Sequence, residues 1–272
     1  MHAALASATR TTRVSLIITT QNRPASLDRV LGSVARQILV PDDVLIADHS
    51  EDLAVEDVIT SWFGSLPCPL KRYEASLSAG RGAASALNLA VRAARGEYLV
   101  FTEGDCVLHP RFMSDHVAHA ATGSFVQGRR AAVRSRYVHR VSTRSFHPWI
   151  WFLRRRAYGF QQGIRRPWTA VRLNDYRRVH GCNFAAWRSD VIQANGFDEA
   201  LDKSGCEIIE LAERLRNRGL TLKRITGQAI VYHLDHRRTE RYRTGVNEKI
   251  LERTRQEKLK RCEHGLAGAV VP

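Results

Sequence analysis

"YLVFTEGDCVLHP" occupies residues 98–110. Four apolar residues, Tyr98, Leu99, Val100 and Phe101, lead into Glu103-Gly104-Asp105, and a proline closes the stretch at Pro110. A short, unbroken apolar run of this kind reads as a strand buried on both faces. Two carboxylates separated by one glycine at its carboxyl end can bend around a single hard cation, because such ions take oxygen ligands. A solvated turn whose acids cap the next segment is the plain alternative.

The same pattern recurs toward the N-terminus. "RVSLIITT" (13–20) and "DDVLIADHS" (42–50) are two more buried-strand runs, the second ending at Asp48, and "LKRYEA" (70–75) adds another strand. Between them, 24–37 carries Leu27, Val30, Leu31 and Val34 at helical spacing behind Pro24. Residues 54–66 read as a second helix, and the Ala-rich segment 80–96 as a third, with glycines at both ends. Strand and helix alternating in this way predict an α/β fold with a doubly wound, mostly parallel sheet and flanking helices. Ligands of such sheets sit at the carboxyl ends of the strands, where Asp48 and the Glu103/Asp105 pair fall.

The 272 residues, 44% hydrophobic and 25% charged, suffice for a sizeable core. The formal net charge of +15 points to an anionic partner: nucleic acid, acidic lipid or a phosphorylated substrate. Five cysteines, at 68, 106, 182, 206 and 262, form no CxxC pair, and their odd number argues for reduced thiols in a cytoplasm. No run approaches the roughly 18 apolar residues that a spanning helix needs. Residues 1–11 read as a disordered leader without the apolar region of a signal peptide.

Residues 129–178 differ from the rest. They hold fourteen arginines, no lysine and one acid, Asp175, with aromatics interleaved as in "SFHPWIWFLRRRAYGFQQGIRRPW". Three readings stand: a surface for acceptor phosphates or anionic headgroups, with Trp149, Trp151, Phe152 and Trp168 at headgroup depth; a solvated, partly mobile lid whose aromatics fold back onto the core; or a nucleic-acid surface. No RNA-binding signature accompanies the arginines, which argues against nucleic acid.

Further side chains suit chemistry. His233 ends the apolar run of "AIVYHLDH" and can ligate a metal, with His236 as a rival. "GFDE" (196–199), Glu207 and Glu210 supply acids for a general base. "SAGRGAASALN" (78–88) is Gly-rich but matches no phosphate-loop pattern.

Taken in order, "VSLIITTQNRP", "LIADHS", "FTEGDCVLHPRF", "GCNFAAWRSDVIQANGFDE", "GCEIIELAERLRNRGL" and "AIVYHLDH" resemble the family 2 glycosyltransferases of GT-A fold, and look most like bacterial members of the lipopolysaccharide or capsule type. The resemblance covers roughly 12–262. It implies one GT-A domain over 12–236, with a donor half at 12–128, the Arg/aromatic insert at 129–178 and an acceptor half at 179–236, followed by a charged helical tail at 237–272. It implies transfer of a hexose, with inversion, from a nucleotide-sugar donor, UDP-sugars favoured, to a saccharide or lipid-linked acceptor. Thr20, Asn22, Asp48, Arg81, Glu103 and Asp105 would bind the donor. Asp105, Glu103 and His233 would hold Mn²⁺ or Mg²⁺, and Gly181, Asn183 and Asp198 would meet the acceptor. The expected location is cytoplasmic, extending to a peripheral position on the inner face of the cytoplasmic membrane.

One departure bears on catalysis. The family's base aspartate falls on Ile208 in Gly205-Cys206-Glu207-Ile208-Ile209-Glu210-Leu211, the Trp before it is Ser204, and an Arg near the central Asn of the Gly-rich helix is Leu87. Either Glu207 or Glu210 serves as base, or the chain is an impaired enzyme that binds nucleotide or glycan.

Overall fold

The computed structural model describes residues 12–75, 82–141, 147–176, 179–201, 205–236 and 245–267. The first half alternates as the sequence predicts. β1 (Val14–Thr20), α1 (Pro24–Val34), β2 (Asp43–Asp48), α2 (Ala54–Ser61), β3 (Leu70–Glu74), α3 (Ala83–Ala93) and β4 (Tyr98–Glu103) follow one another. β5 (Cys106–Leu108), α4 (Phe112–His119), β6 (Ser124–Gln127) and β7 (Arg129–Val133) come next, then a 3₁₀ turn at Ser135–Arg140. The chain continues through α5 (Pro148–Leu153), β8 (Ala157–Tyr158), α6 (Phe160–Gly163), β9 (Ala170–Leu173), β10 (Asn183–Trp187) and α7 (Arg188–Gln193). α8 (Glu207–Asn217), β11 (Thr221–Thr226), β12 (Ile230–Leu234) and α9 (Gly245–Gln256) complete it.

Among the described residues the main sheet has eight strands in the order β3-β2-β1-β4-β10-β6-β11-β9. β3, β2, β1 and β4 run parallel, β10 is antiparallel to β4 and β6, and β9 is antiparallel to β11. Alternation along β1 explains the layering. Val14, Leu16 and Ile18 face one core with Leu27, Val30 and Leu31 of α1 and Val55 and Ile59 of α2. Ile17 faces the other with Leu87 and Val91 of α3 and Leu211 and Leu215 of α8. Helices thus cover both faces, and the carboxyl ends of β1, β2 and β4 are left together at one edge of the layers.

A second sheet, β5-β12-β7-β8, holds the rest of the site. "LKRITGQAIVYHLDH", one continuous run in the sequence, divides into β11 in the main sheet and β12 in the small one. Gly227 (φ 89°) and Ala229 (φ 44°) make the turn between them in left-handed conformations.

The Arg/aromatic insert is a folded part of the domain. β7 pairs with β12, and Trp151, 6% exposed, packs with Val133, Val141, Ala157 and Tyr232 in a third core. The interfacial place expected for Trp151 is therefore corrected; Trp149 (62% exposed) and Trp168 (69%) do face outward. The C-terminal segment carries a helix over its described part. α9 packs on α8, burying Leu251 and Thr254, and the amides of Leu266 and Ala267 donate to Asn195.

Candidate active site

A cleft of about 460 Å³ opens at the carboxyl ends of β1, β2 and β4. Thr19 and Thr20 at the end of β1 border it, with Gln21 and Arg23 beyond them, His49 just after β2, Glu103 at the end of β4, and Gly104 and Asp105 just after it. Ala83 and Leu87 of α3, Arg130, Gly181, the Gly205–Ile209 stretch and His236 complete most of the wall.

Sheet pairing assembles one end. β5 lies antiparallel to β12 with Cys106 opposite His233, and the Leu234 amide donates to the Asp105 carbonyl at 2.8 Å. This sets the Asp105 carboxylate against two imidazoles: Oδ2 lies 3.5 Å from His233 Nε2 and 3.2 Å from His236 Nε2. One ligand atom from each of the three residues falls within 4.8 Å of the others. Burial alone would raise the Asp105 carboxyl, but hydrogen bonds from both histidines outweigh it and hold the group well below the usual carboxylate range. Glu103, expected in the same metal set, groups instead with the Cys106 and Cys182 sulfurs. Burial, then the neighbouring Cys182 and Asp105, push its carboxyl well up, with Arg130 pulling against them.

The glycines of this wall are fixed by space. A Cβ on Gly104 would lie 2.8 Å from Thr20 Oγ1, and one on Gly181 would lie 3.1 Å from Glu103 Oε1. Gly181 therefore does line the cleft, and close to a carboxylate.

The two candidate bases separate. Glu207, at the start of α8, faces the cleft; its Oε2 accepts from the Gly205 amide at 2.8 Å while Oε1 has no partner among the described residues. Burial raises its pKa, partly offset by backbone amides at 205–207. Glu210 does not line the cleft and is held in a buried ion pair. It is buried, and Arg214, itself 0% exposed, donates to it through Nε at 2.8 Å and Nη2 at 2.6 Å. The Thr254 hydroxyl donates to the same carboxylate at 2.9 Å. Ile208, in the place of the family's aspartate, lies in the second core and also borders the cleft.

Other expected contacts are taken up by the fold. Asp48 is wholly buried and accepts from Arg72 Nε at 2.8 Å and from the Ser50 amide at 2.9 Å. Asn22, in a left-handed turn, accepts from the amides of Glu51 and Asp52. Asn183 is buried, with its amide nitrogen on the carbonyls of Arg129 and Ala229 and its Oδ1 2.9 Å from His116 Nε2. Asp198 accepts from the Ala200 amide and is not among the residues lining the cleft. Arg81 lies outside the described residues. His49 and Arg130, which do line the cleft, carry no motif signal in the sequence; an i,i+4 reading of Glu210 with Arg214 would have identified that pair.

Among the described residues no helix is long and apolar enough to cross a membrane. Residues 15–176 match glycosyl transferase family 2, and residues 170–237 match the N-terminal domain of galactosyltransferase. A validoxylamine A glucosyltransferase from Streptomyces hygroscopicus subsp. limoneus is 28% identical over 232 residues, covering 77% of this chain. The chain spans about half the length of that relative, 49% of it. Among solved structures, the mannosyltransferase PcManGT from Pyrobaculum calidifontis, in complex with GDP-Man and Mn²⁺, matches 85% of this chain and 59% of its own at 20% identity and a TM-score of 0.56. S. aureus TarS in complex with UDP matches 94% of this chain and 68% of its own at 14% identity and a TM-score of 0.65. These likenesses show the fold, which is GT-A.

Proposed function

From the premise that this chain belongs to glycosyl transferase family 2, we propose that it transfers a hexose, with inversion, from a nucleotide-sugar donor to a saccharide or lipid-linked acceptor. The observation that carries this reading is the meeting, in one cleft, of the Asp105–His233–His236 cluster with the half-partnered carboxylate of Glu207.

The donor set fits a divalent ion. One carboxylate and two imidazoles suit Mn²⁺ better than Mg²⁺, which takes oxygen ligands almost exclusively. An ion bound there supplies charge neutralisation for a departing diphosphate. Asp105, His233 and His236 would hold it. Arg130, beside Glu103 in the cleft, adds a fixed positive charge for the same anion. Thr20, at the end of β1, and Arg23, just before α1, border the space left for the nucleoside, for which uridine is favoured.

Glu207 is the base. Its free Oε1 can accept the acceptor-hydroxyl proton, and its raised pKa strengthens it as a proton acceptor. One in-line attack at the anomeric carbon then forms the new glycosidic bond as the bond to the diphosphate breaks, which inverts configuration. Gly181 gives the sugar room beside Glu103 and Ile208.

Outward-facing Trp149 and Leu153 on α5, among the arginines of 129–178, support a peripheral position on an anionic inner membrane face, as an acceptor of the bacterial polysaccharide type requires. A second reading, a nucleotide- or glycan-binding protein with impaired transfer, is favoured by one observation, the isoleucine at 208. The test is a panel of UDP-, GDP- and dTDP-sugars with Mn²⁺, following both heat of binding and nucleoside diphosphate release. Metal-dependent binding with release that stops in Glu207→Gln is expected. Binding without release, unchanged by any acceptor offered, would favour the second reading.

A further inference from the structure

The end of the cleft formed by β1 and β2 contains buried polar atoms that no described residue satisfies. Among the described residues neither ring nitrogen of His49 has a partner, and Thr20 Oγ1 has none either, although both residues are about 3% exposed. Buried polar groups are nearly always hydrogen-bonded, so two orphans at one end of one cleft point to a ligand. The His49 amide donates to the Thr20 carbonyl at 3.2 Å, which fixes the imidazole at the strand ends. Its neighbour Asp48 is occupied by Arg72 and the Ser50 amide, whereas both ring nitrogens of His49 are unpartnered among the described residues.

Burial lowers the imidazole pKa to about 4, against the pull of Asp48. At neutral pH the ring is therefore uncharged, with one N–H donor and one nitrogen acceptor. An uncharged ring is a poor partner for a diphosphate. One ring nitrogen can reach the edge of a flat heterocycle, donating to a carbonyl or accepting from an N–H, and uracil and guanine both carry these groups. The Asp105–His233–His236 cluster, the place for the diphosphate, borders the same cleft through Asp105 and His236.

We propose that His49 is the nucleobase-reading residue of this chain, its ring hydrogen-bonding the base edge of the donor with the Thr20 hydroxyl completing the contact. The proposal rests on the donor reading above and adds the residue that contacts the base.

Calorimetry on the full chain with Mn²⁺ tests it, using UDP, GDP and inorganic pyrophosphate as probes. In His49→Phe, which keeps a ring but no hydrogen bonds, affinity for the better-bound nucleoside diphosphate should fall about tenfold or more while pyrophosphate affinity stays within twofold. His49→Gln, which keeps a donor and an acceptor, should lose less, and it carries the test if the Phe variant fails to fold. Equal losses for pyrophosphate and nucleotide, or no loss for either, would overturn the role of His49 while leaving the donor reading intact. Wild-type protein that binds neither nucleotide would overturn the donor reading, and this inference with it.

Discussion

Glu207 and Glu210 stand one helical turn apart on α8, and exchanging each carboxylate for an amide should produce opposite effects. Glu210→Gln removes the counter-charge of Arg214, which is fully buried and makes its charge-assisted bonds to Glu210 at 2.6–2.9 Å. The guanidinium also donates to the carbonyls of Ala194 and Gly196, so it cannot swing out to water. Breaking one side of a buried pair costs about 3–5 kcal/mol, because the remaining charge stays desolvated. At roughly 2–4 °C per kcal/mol for a domain of this size, the melting temperature should fall by about 6–20 °C. Turnover per folded molecule should stay within about threefold. Glu207→Gln should do the reverse. The amide still accepts from the Gly205 N–H, and a charge that burial disfavours is removed, so stability should not fall. The loss of a general base should lower turnover by about 10²–10⁴. Thermal melts read the first effect, and nucleoside diphosphate release per folded molecule reads the second. A Glu210→Gln protein that melts like the wild type but has lost turnover would refute the assignment.

Because burial raises the Glu207 pKa, the fold binds its proton more tightly than the unfolded chain does. Its contribution to stability is full below the ordinary carboxylate value and is lost as pH rises through the raised one; release rate should rise over that same interval, and Glu207→Gln should flatten the limb in a pH–rate profile. Ile208→Asp places a carboxylate in the second core and should lower the melting temperature without raising turnover; a gain of tenfold or more would show that the native base is deficient. Trp151→Ala should cost about 3–5 kcal/mol in denaturant unfolding, whereas Trp149→Ala should leave stability nearly unchanged and weaken only association with anionic vesicles.

The layering of the first half was legible in the sequence because β-branched runs and helical spacing report burial directly. "RVSLIITT" places alternate residues on two cores, and both faces are apolar because helices cover both. The division of "LKRITGQAIVYHLDH" between two sheets was not legible, since it depends on a left-handed alanine, Ala229, that no local preference announces. The acid pair was visible at the end of β4, but its two members part company: Asp105 meets the histidines of β12 and its loop, while Glu103 faces Cys182 across the β4–β10 pairing. Those partners lie far away in the chain, beyond any local pattern. Asp48, Asn22 and Asn183 carried the right residue types at strand ends, and the fold turned each to its own hydrogen bonds. His49 illustrates the opposite case: its importance comes from partners it lacks, which only the packed structure reveals.

Asp105, His233 and His236 would hold a divalent ion that neutralises the diphosphate of a bound nucleotide. Titrating UDP and GDP into wild-type and Asp105→Ala proteins, each with and without Mn²⁺, tests that role directly. Binding by the wild type that requires Mn²⁺, and its loss in a folded Asp105→Ala variant, is the result predicted. Equal nucleotide binding by both proteins, or binding indifferent to Mn²⁺, would contradict it.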